Sequence, residues 1–318
     1  MKYTNTHVID GSIMVLGTEQ RSERSVDIDR VGTTEMLTMI NDEDRSVPDR
    51  VRAAIPQIAA AVELIYPRLE RGGRVVYVGA GTSARLGFVD AAECAPSYHV
   101  AEGVFNCLMA GGRECVFCAS EGKEDSEQDA VRDLVDFGLT EADTVVALAA
   151  SGRTPYGIGA LKYAATIGAG RVSIACNKPS EMGKYAEVAI DLDTGAEVVM
   201  GSTRMKAASA QKLILNMLST ALMIKQGRTY SNLMISPEPE NSKVTNRMPR
   251  RFAEAVGNPD LAYAMERLQT ADGCLRCAIV MELTGCDKAI AKKACDACDG
   301  RVKRAIDLAR EMMEEAGK

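Results

Sequence analysis

The sequence predicts an α/β fold: a parallel β-sheet flanked by helices in a three-layer sandwich, with a small all-helical C-terminal domain. Three observations indicate it. Short apolar, β-rich runs alternate with helical patterns through the middle of the chain. Two of these runs lead into glycine- and serine-rich turns that each open a helix. Beyond a proline-rich break at residues 237–242, only short helical patterns remain.

The composition of the chain argues against a nucleic-acid-binding protein and against a membrane protein. The chain has 318 residues and a formal net charge of −6, and it contains no Trp. It shows no basic stripe with interleaved aromatic residues, so we expect no nucleic-acid partner. No run approaches the roughly 20 apolar residues of a membrane span, so we expect no membrane partner. Ten cysteines without a secretory signal pattern indicate reduced thiols and predict a cytoplasmic protein.

The N-terminal part is predicted to be an arm followed by helices. Residues 1–20 are interpreted as a flexible arm, and residues 33–40 as a short helix. An apolar stripe with a period of 3.6 residues ends near Ile65 and predicts a longer helix that begins near residue 47. Pro56 lies inside this stripe and predicts a kink or a break, because proline removes a helix hydrogen bond.

Strands and helices then alternate as far as residue 225. We predict strands at residues 74–78, 103–109, 144–149, 171–176 and 187–192, and helices at 83–92, 125–135, 155–167 and 205–225. The C-terminal helices are predicted at 258–270, 273–283, 287–298 and 301–315. We therefore divide the chain into the arm, a main domain at 21–235 and a helical domain at 236–318.

Two turns, at residues 79–87 and 149–156, suggest a ligand. A Gly/Ser/Thr turn at a helix N-terminus presents backbone N–H groups and hydroxyls to an anion. Two such turns in one sheet predict a sugar phosphate, a ligand with one phosphate and several hydroxyls. Ordinary helix capping by the same side chains is the alternative. The candidate phosphate-binding residues are Thr82, Ser83, Ser151, Gly152, Arg153 and Thr154.

A third turn, at residues 201–206, also opens a predicted helix. It adds Ser202, Arg204 and Lys206 to the candidate binding residues. The two cations would neutralise phosphate or substrate charge. The alternative is a solvated helix start with no ligand.

Glu93 and Glu124 are the candidate catalytic residues. Two carboxylates near one phosphate site suit general acid and base catalysis, because one can stay protonated while the other is ionised. The alternative is that Glu93 is a surface residue and Glu124 an acidic residue at a helix N-terminus. A mechanism built on histidine has few candidates, since His7 and His99 are the only two.

The C-terminal cysteines form two Cys-x-x-Cys pairs, at 274–277 and at 295–298, with a spacing that resembles a structural zinc site. Both pairs lie in helical patterns and lack the glycine-rich turns of a zinc ribbon. We interpret them as small core thiols and assign no metal site, with zinc as the alternative.

These motifs together resemble the N-acetylmuramic acid 6-phosphate etherase family of the sugar isomerase (SIS) superfamily. The resemblance extends from Thr18 to the C-terminal helices. It rests on the segments at residues 28–31, 40–44, 79–87, 90–94, 121–125, 150–156, 201–206 and 232–234.

The resemblance implies an SIS-type sheet, a homodimer, and no metal or organic cofactor. It implies cleavage of the lactyl ether of N-acetylmuramic acid 6-phosphate, which yields N-acetylglucosamine 6-phosphate and D-lactate during cell-wall recycling. By motif match, Glu93 corresponds to the family's general acid and Glu124 to its base.

Two other functions stay open at this point. A non-catalytic sugar-phosphate sensor would keep Ser83 and Ser151 but would not need both glutamates. A hexose-phosphate isomerase would bind a similar ligand, but its ring opening commonly uses a histidine, and only His99 lies near the predicted site.

Overall fold

The computed structural model describes residues 13–118, 122–235 and 242–316. The chain forms two compact units. One consists of Met1–Ala91 with Gly103–Leu218, and the other of Ala92–Glu102 with Ser219–Lys318. The grouping of residues 92–102 with the C-terminal part differs from the predicted division of the chain, which placed them in the main domain at 21–235.

The first unit begins with three helices: α1 (Thr33–Asp44), α2 (Val47–Ala53) and α3 (Ile55–Glu70). The predicted break at Pro56 is confirmed, because α2 ends before Ala54 and Pro56 lies in the first turn of α3. Helix α1 extends four residues beyond its predicted end at residue 40. Residues 1–12 of the predicted arm lie outside the described residues.

A five-stranded parallel sheet forms the centre of this unit, with the strand order β2-β1-β3-β4-β5. All five predicted strands are present. They are β1 (Val75–Gly79), β2 (Phe105–Met109), β3 (Thr144–Ala149), β4 (Gly170–Ala175) and β5 (Val188–Asp191). The connecting helices are α4 (Gly81–Tyr98), α5 (Glu127–Phe137), α6 (Pro155–Thr166) and α7 (Lys206–Lys225).

Helices cover both faces of the sheet. Val76 and Val145 point to one face, where they pack in one cluster with residues of α5 and α6. Tyr77 and Leu148 alternate with them along the strands and point to the opposite face. Gly87 of α4 packs against both, because a Cβ there would lie 3.0 Å from Tyr77 Cβ and 3.2 Å from Leu148 Cδ1. The predicted three-layer sandwich is confirmed.

Among the helices of the described residues, α7 is long and apolar enough to cross a membrane, judged by its length and composition alone. Its most apolar window has a mean hydropathy of 1.2, and 56% of that window is buried inside the protein. Asn216 on this helix donates a hydrogen bond of 2.7 Å to Asp90 Oδ1. We therefore interpret α7 as a core helix.

The second unit is mainly helical, as predicted. It contains a short antiparallel pair, β6 (Thr229–Tyr230) and β7 (Leu233–Met234), and the helices α8 (Ser242–Val256), α9 (Leu261–Thr270), α10 (Leu275–Thr284), α11 (Lys288–Ala297) and α12 (Val302–Ala316). Helix α8 was not predicted, because its composition is polar and Pro249 lies inside it. Of the predicted break at residues 237–242, residues 237–241 lie outside the described residues, and Ser242 is the first residue of α8.

Candidate functional site

The strand order creates a topological switch point between β1 and β3. Ligands of open α/β sheets bind at the carboxyl ends of the strands at such a point. Gly79, the last residue of β1, pairs with Leu148 near the end of β3. The turns at 79–87 and 149–156 therefore start side by side, and helices α4 and α6 begin there.

The first turn is compact because glycine lets neighbouring backbone come close. A Cβ on Gly79 would lie 2.8 Å from the carbonyl oxygen of Leu148. Gly81 opens α4 with φ of +53°, a conformation that favours glycine. Ser83 is 8% exposed and Thr82 is partly buried. Both lie in the first turn of α4, next to backbone N–H groups that a helix leaves free.

The second turn depends on Gly152, which has φ of +70°. A Cβ there would lie 2.5 Å from Ser180 Cβ, so only glycine fits without movement. The hydroxyl of Ser151 accepts a hydrogen bond of 3.2 Å from the backbone N–H of Arg153. Thr154 occupies the N-cap position of α6 but its side chain makes no capping hydrogen bond. Simple capping therefore does not account for Thr154.

Asn177, which is not among the predicted site residues, connects the second turn to Thr18. Its Nδ2 donates to the carbonyl of Ala150 at 3.1 Å and to Thr18 Oγ1 at 2.9 Å. Its Oδ1 accepts the backbone N–H of Thr18 at 3.2 Å. Thr18 is fully buried. The end of the predicted arm thus packs against the loop after β4.

The third turn differs from its predicted role at Lys206. The side chain of Lys206 is 2% exposed, and its Nζ lies 2.7 Å from Glu43 Oε2. Arg24 Nε contacts the other oxygen of Glu43 at 2.7 Å. Lys206 was predicted to bind phosphate, but a buried ammonium paired with a buried carboxylate does not face a ligand from solvent. Arg204 is exposed and Ser202 is partly exposed.

The N-terminus of α7 is also occupied by a protein carboxylate. Glu197 is fully buried, and it accepts the backbone N–H of Lys206 at 2.9 Å and of Ala207 at 3.0 Å. Burial raises the pKa of Glu197, although these backbone hydrogen bonds and Lys206 oppose the shift. The third turn therefore offers a ligand fewer free N–H groups than a bare helix end.

Glu124 belongs to a short 3-10 turn, Lys123–Asp125, that contacts α6. Lys123 packs against the end of β2, because a Cβ on Gly111 would lie 3.0 Å from Lys123 Cγ. Ser126 caps α5 by accepting the backbone N–H of Asp129 at 3.1 Å. Glu124 is exposed and precedes this cap, so it is not an acidic residue of the helix start.

Arg85 of α4 holds the loop that leads toward Glu124. Its Nε donates to the carbonyl of Val116 and its Nη2 to the carbonyl of Cys115, both at 2.8 Å. The first turn and the loop after β2 are thereby connected. Arg85 lies within the turn segment 79–87 but is not among the predicted site residues.

Glu93 lies near the end of α4 and is exposed. It belongs to residues 92–102, which form part of the second unit. The structure thus groups the turns at 79–87 and 149–156, the third turn and Glu124 in the first unit, and it places Glu93 in the second.

A cavity of about 570 Å³ in the first unit contains none of the predicted site residues. It lies beside β2, and Phe88, Val116 and Phe117 are among its lining residues. Among the residues that the structure describes, no group of three or more His, Cys, Asp or Glu side chains is arranged to hold a metal ion.

The sequence of this chain is similar to two family profiles and to several members of known protein families. A sequence profile described as the glucokinase regulatory protein N-terminal SIS domain matches residues 57–165, and the SIS domain profile matches residues 113–221. The N-acetylmuramic acid 6-phosphate etherase of Clostridium beijerinckii is 46% identical over 291 residues, 92% of this chain and 95% of that protein. The etherase of Oceanobacillus iheyensis is 47% identical, over 91% of this chain and 98% of that protein.

The chain belongs to the N-acetylmuramic acid 6-phosphate etherase family. The family expected from the sequence motifs is confirmed. The etherase family also includes a protein of Mycolicibacterium smegmatis that is 44% identical over 92% of this chain and 98% of that protein. The solved structure of a phosphoheptose isomerase from Francisella tularensis aligns with a TM-score of 0.46 at 15% identity, over 59% of this chain and 98% of that chain.

Proposed function

We propose that this protein cleaves the D-lactyl ether bond of N-acetylmuramic acid 6-phosphate as a carbon–oxygen lyase. The products are N-acetylglucosamine 6-phosphate and D-lactate, which fits the recycling of cell-wall amino sugars. The observation that carries this proposal is the similarity to etherases over 92% of the chain. The paired turns at the β1/β3 switch point and the presence of Glu93 and Glu124 support it.

The phosphate and sugar hydroxyls bind at the switch point in this proposal. The N-termini of α4 and α6 supply backbone N–H groups, and their positive dipole ends favour the phosphate charge. Lys206 contributes by holding the third turn through Glu43 rather than by contact with the ligand. The proposed ligand contacts are Thr82, Ser83, Ser151, Gly152, Arg153, Thr154, Ser202 and Arg204.

The two glutamates carry the chemistry. In the open-chain sugar, the C2 proton lies next to the aldehyde and is acidic enough for the carboxylate of Glu124 to remove it. The lactyl oxygen then leaves C3 and takes a proton from Glu93. Water then adds to the unsaturated aldehyde: its oxygen bonds to C3, its proton passes to the carboxylate of Glu93, and Glu124 returns its proton to C2. The sum is substrate plus water giving the two products, and both carboxyl groups return to their starting states.

A direct test is D-lactate release from N-acetylmuramic acid 6-phosphate. Glu93→Gln and Glu124→Gln should each lower the rate at least about 100-fold, the usual contribution of a general acid or base. Glu102→Gln and Asp125→Asn change exposed neighbours and should retain near wild-type rates. If the wild type binds the sugar phosphate but releases no lactate, the protein is a sensor. Conversion to an isomeric sugar phosphate without lactate would instead indicate an isomerase.

We further propose that the protein is a cytoplasmic homodimer. The exposed apolar side chains of Val89 on α4 and Met217 on α7, both in the first unit, are candidates for a subunit contact. Analytical ultracentrifugation over a range of concentrations tests this state, and a single species with the mass of one chain would contradict it.

A further inference from the structure

Two thiols meet at the N-terminal end of α10, in the second unit. Cys274 is the N-cap residue of α10, and its Sγ lies 3.0 Å from the Sγ of Cys277. The Sγ of Cys274 also accepts the backbone N–H of Cys277 at 3.4 Å. Because a Cys-x-x-Cys segment at a helix start holds both sulfurs on one side, this pair is already close to bonding distance.

A cavity gives solvent molecules access to this pair. It has a volume of about 490 Å³, and both sulfur-bearing residues line it together with Cys295. Cys274 is partly exposed, whereas Cys277 and Cys295 are buried. The remaining lining residues that carry charge are Asp272, Arg276, Lys288, Lys292, Asp296 and Asp299.

We propose that Cys274 and Cys277 form a reversible dithiol–disulfide site that reacts with small-molecule disulfides, independently of the ether cleavage. The thiolate of Cys274 attacks one sulfur of the disulfide RSSR, forms a mixed disulfide and expels RS⁻. Cys277 then attacks the sulfur of Cys274 and expels the second RS⁻. Two protein thiols lose two electrons and two protons, and RSSR becomes two RSH, so the exchange is balanced.

The surroundings set the pH dependence of this exchange. The hydrogen bond between the two thiols and burial raise the pKa of Cys274. The hydrogen bond from Cys274 opposes a rise at Cys277, but hydrogen bonding with Cys295 and burial raise the pKa of Cys277 to about 11. The pair is thus protonated at neutral pH and reacts through a small thiolate fraction. The rate of closure, that is, of formation of the Cys274–Cys277 disulfide, should rise about tenfold per pH unit between about pH 7 and pH 9, since the thiolate fraction rises at that rate.

The test uses the full-length protein and oxidised glutathione as the disulfide. After acid quenching and alkylation, trypsin cuts at Arg276, between the two cysteines, so a closed disulfide joins peptides 268–276 and 277–288. Fragmentation distinguishes Cys277 from Cys286 within the second peptide. We expect the joined peptides to carry a Cys274–Cys277 bond and to separate again after treatment with dithiothreitol.

Matched variants complete the test. Cys298→Ser changes the partly exposed cysteine of the other pair and should leave closure unchanged, whereas Cys274→Ser should abolish it. Exposed Cys118 serves as an internal reference for reaction with glutathione. The proposal is wrong if wild-type Cys118 is glutathionylated while Cys274 stays reduced or keeps a lasting glutathione adduct. A disulfide from Cys277 to Cys286 or Cys295 in its place would also overturn it.

Discussion

Lys206 and Arg204 lie two residues apart but in different environments. The ammonium of Lys206 is buried against Glu43, a partner 163 residues away in the sequence, whereas Arg204 is exposed. Their sequence context is the same helix start, so the sequence assigned both to phosphate binding. A single residue's role here depends on a distant carboxylate that no local pattern reveals.

Asp143 is a buried carboxylate whose hydrogen bonds contribute to stability in a pH-dependent way. Its carboxylate accepts hydrogen bonds from the backbone N–H of Arg74 and Thr140, at 2.7 and 2.8 Å, and from the guanidinium of Arg74. Burial alone would raise the pKa of Asp143, but the hydrogen bonds from Arg74 and Thr140 lower it below its usual value. A carboxyl with a lower pKa in the folded state contributes stability above its unfolded pKa, and this contribution is lost as pH falls through the folded pKa.

Asp143→Asn should therefore lower the free energy of unfolding by about 2 kcal/mol at neutral pH, and by less below about pH 4. Urea denaturation at a series of pH values measures this difference. Asp136→Asn alters an exposed carboxylate and serves as the control. A deficit that stays constant through the acid range would contradict the linkage of stability to Asp143.

At the scale of elements, the ends of strands and helices position the candidate site. Gly152 combines a positive φ with a contact that leaves no room for a side chain. Gly138, at the end of α5, has φ of +69° but no atom within 4 Å of an added Cβ. Comparing a substitution at Gly152 with one at Gly138 therefore distinguishes the cost of a positive φ from the cost of a steric clash.

Gly152→Ala should destabilise the protein more than Gly138→Ala, by at least about 1 kcal/mol, because only the first adds a clash to the strained φ. Thermal unfolding of the two variants beside the wild type provides the comparison. Gly152→Ala should also weaken sugar-phosphate binding, since Ser151 and Thr154 flank the altered backbone. An equal loss of stability in both variants would show that Ser180 moves away from the added methyl group without a cost in free energy, which would contradict the prediction.

At the scale of the whole molecule, one buried ion pair connects distant parts of the chain within the first unit. Glu43 lies near the end of α1, and Lys206 begins α7. Both are nearly inaccessible, at 4% and 2% exposure. Removal of Lys206 alone leaves the buried Glu43 carboxylate with only the exposed Arg24 as a counter-charge, whereas removal of both charges leaves no buried ion.

Lys206→Met should therefore cost about 3 kcal/mol of unfolding free energy, with Arg24 still able to contact Glu43. The double variant Lys206→Met/Glu43→Gln should be more stable than Lys206→Met alone. A double-mutant cycle from chemical denaturation gives the coupling energy. Additive single effects would mean that the pair contributes no specific stabilisation.

The sequence by itself determined the architecture and the family. Apolar runs that alternate with helical stripes identified all five strands, and Pro56 correctly predicted a break between α2 and α3. Helix α8 was missed, since its polar composition and Pro249 weaken the local pattern. Motifs such as the glycine-rich turns depend on neighbours in sequence, which is why they are visible in a single chain.

Only the tertiary structure decided which polar groups are buried against protein partners and which are exposed. Glu43, Asn177 and Glu197 each act on segments far away or on backbone atoms, and no spacing in the sequence marks them. The position of the candidate site also depends on the strand order, because this order places β1 beside β3 and therefore brings the turns that follow them side by side. Local sequence encodes periodicity and turn chemistry, whereas burial and long-range charge pairing exist only after the chain has folded.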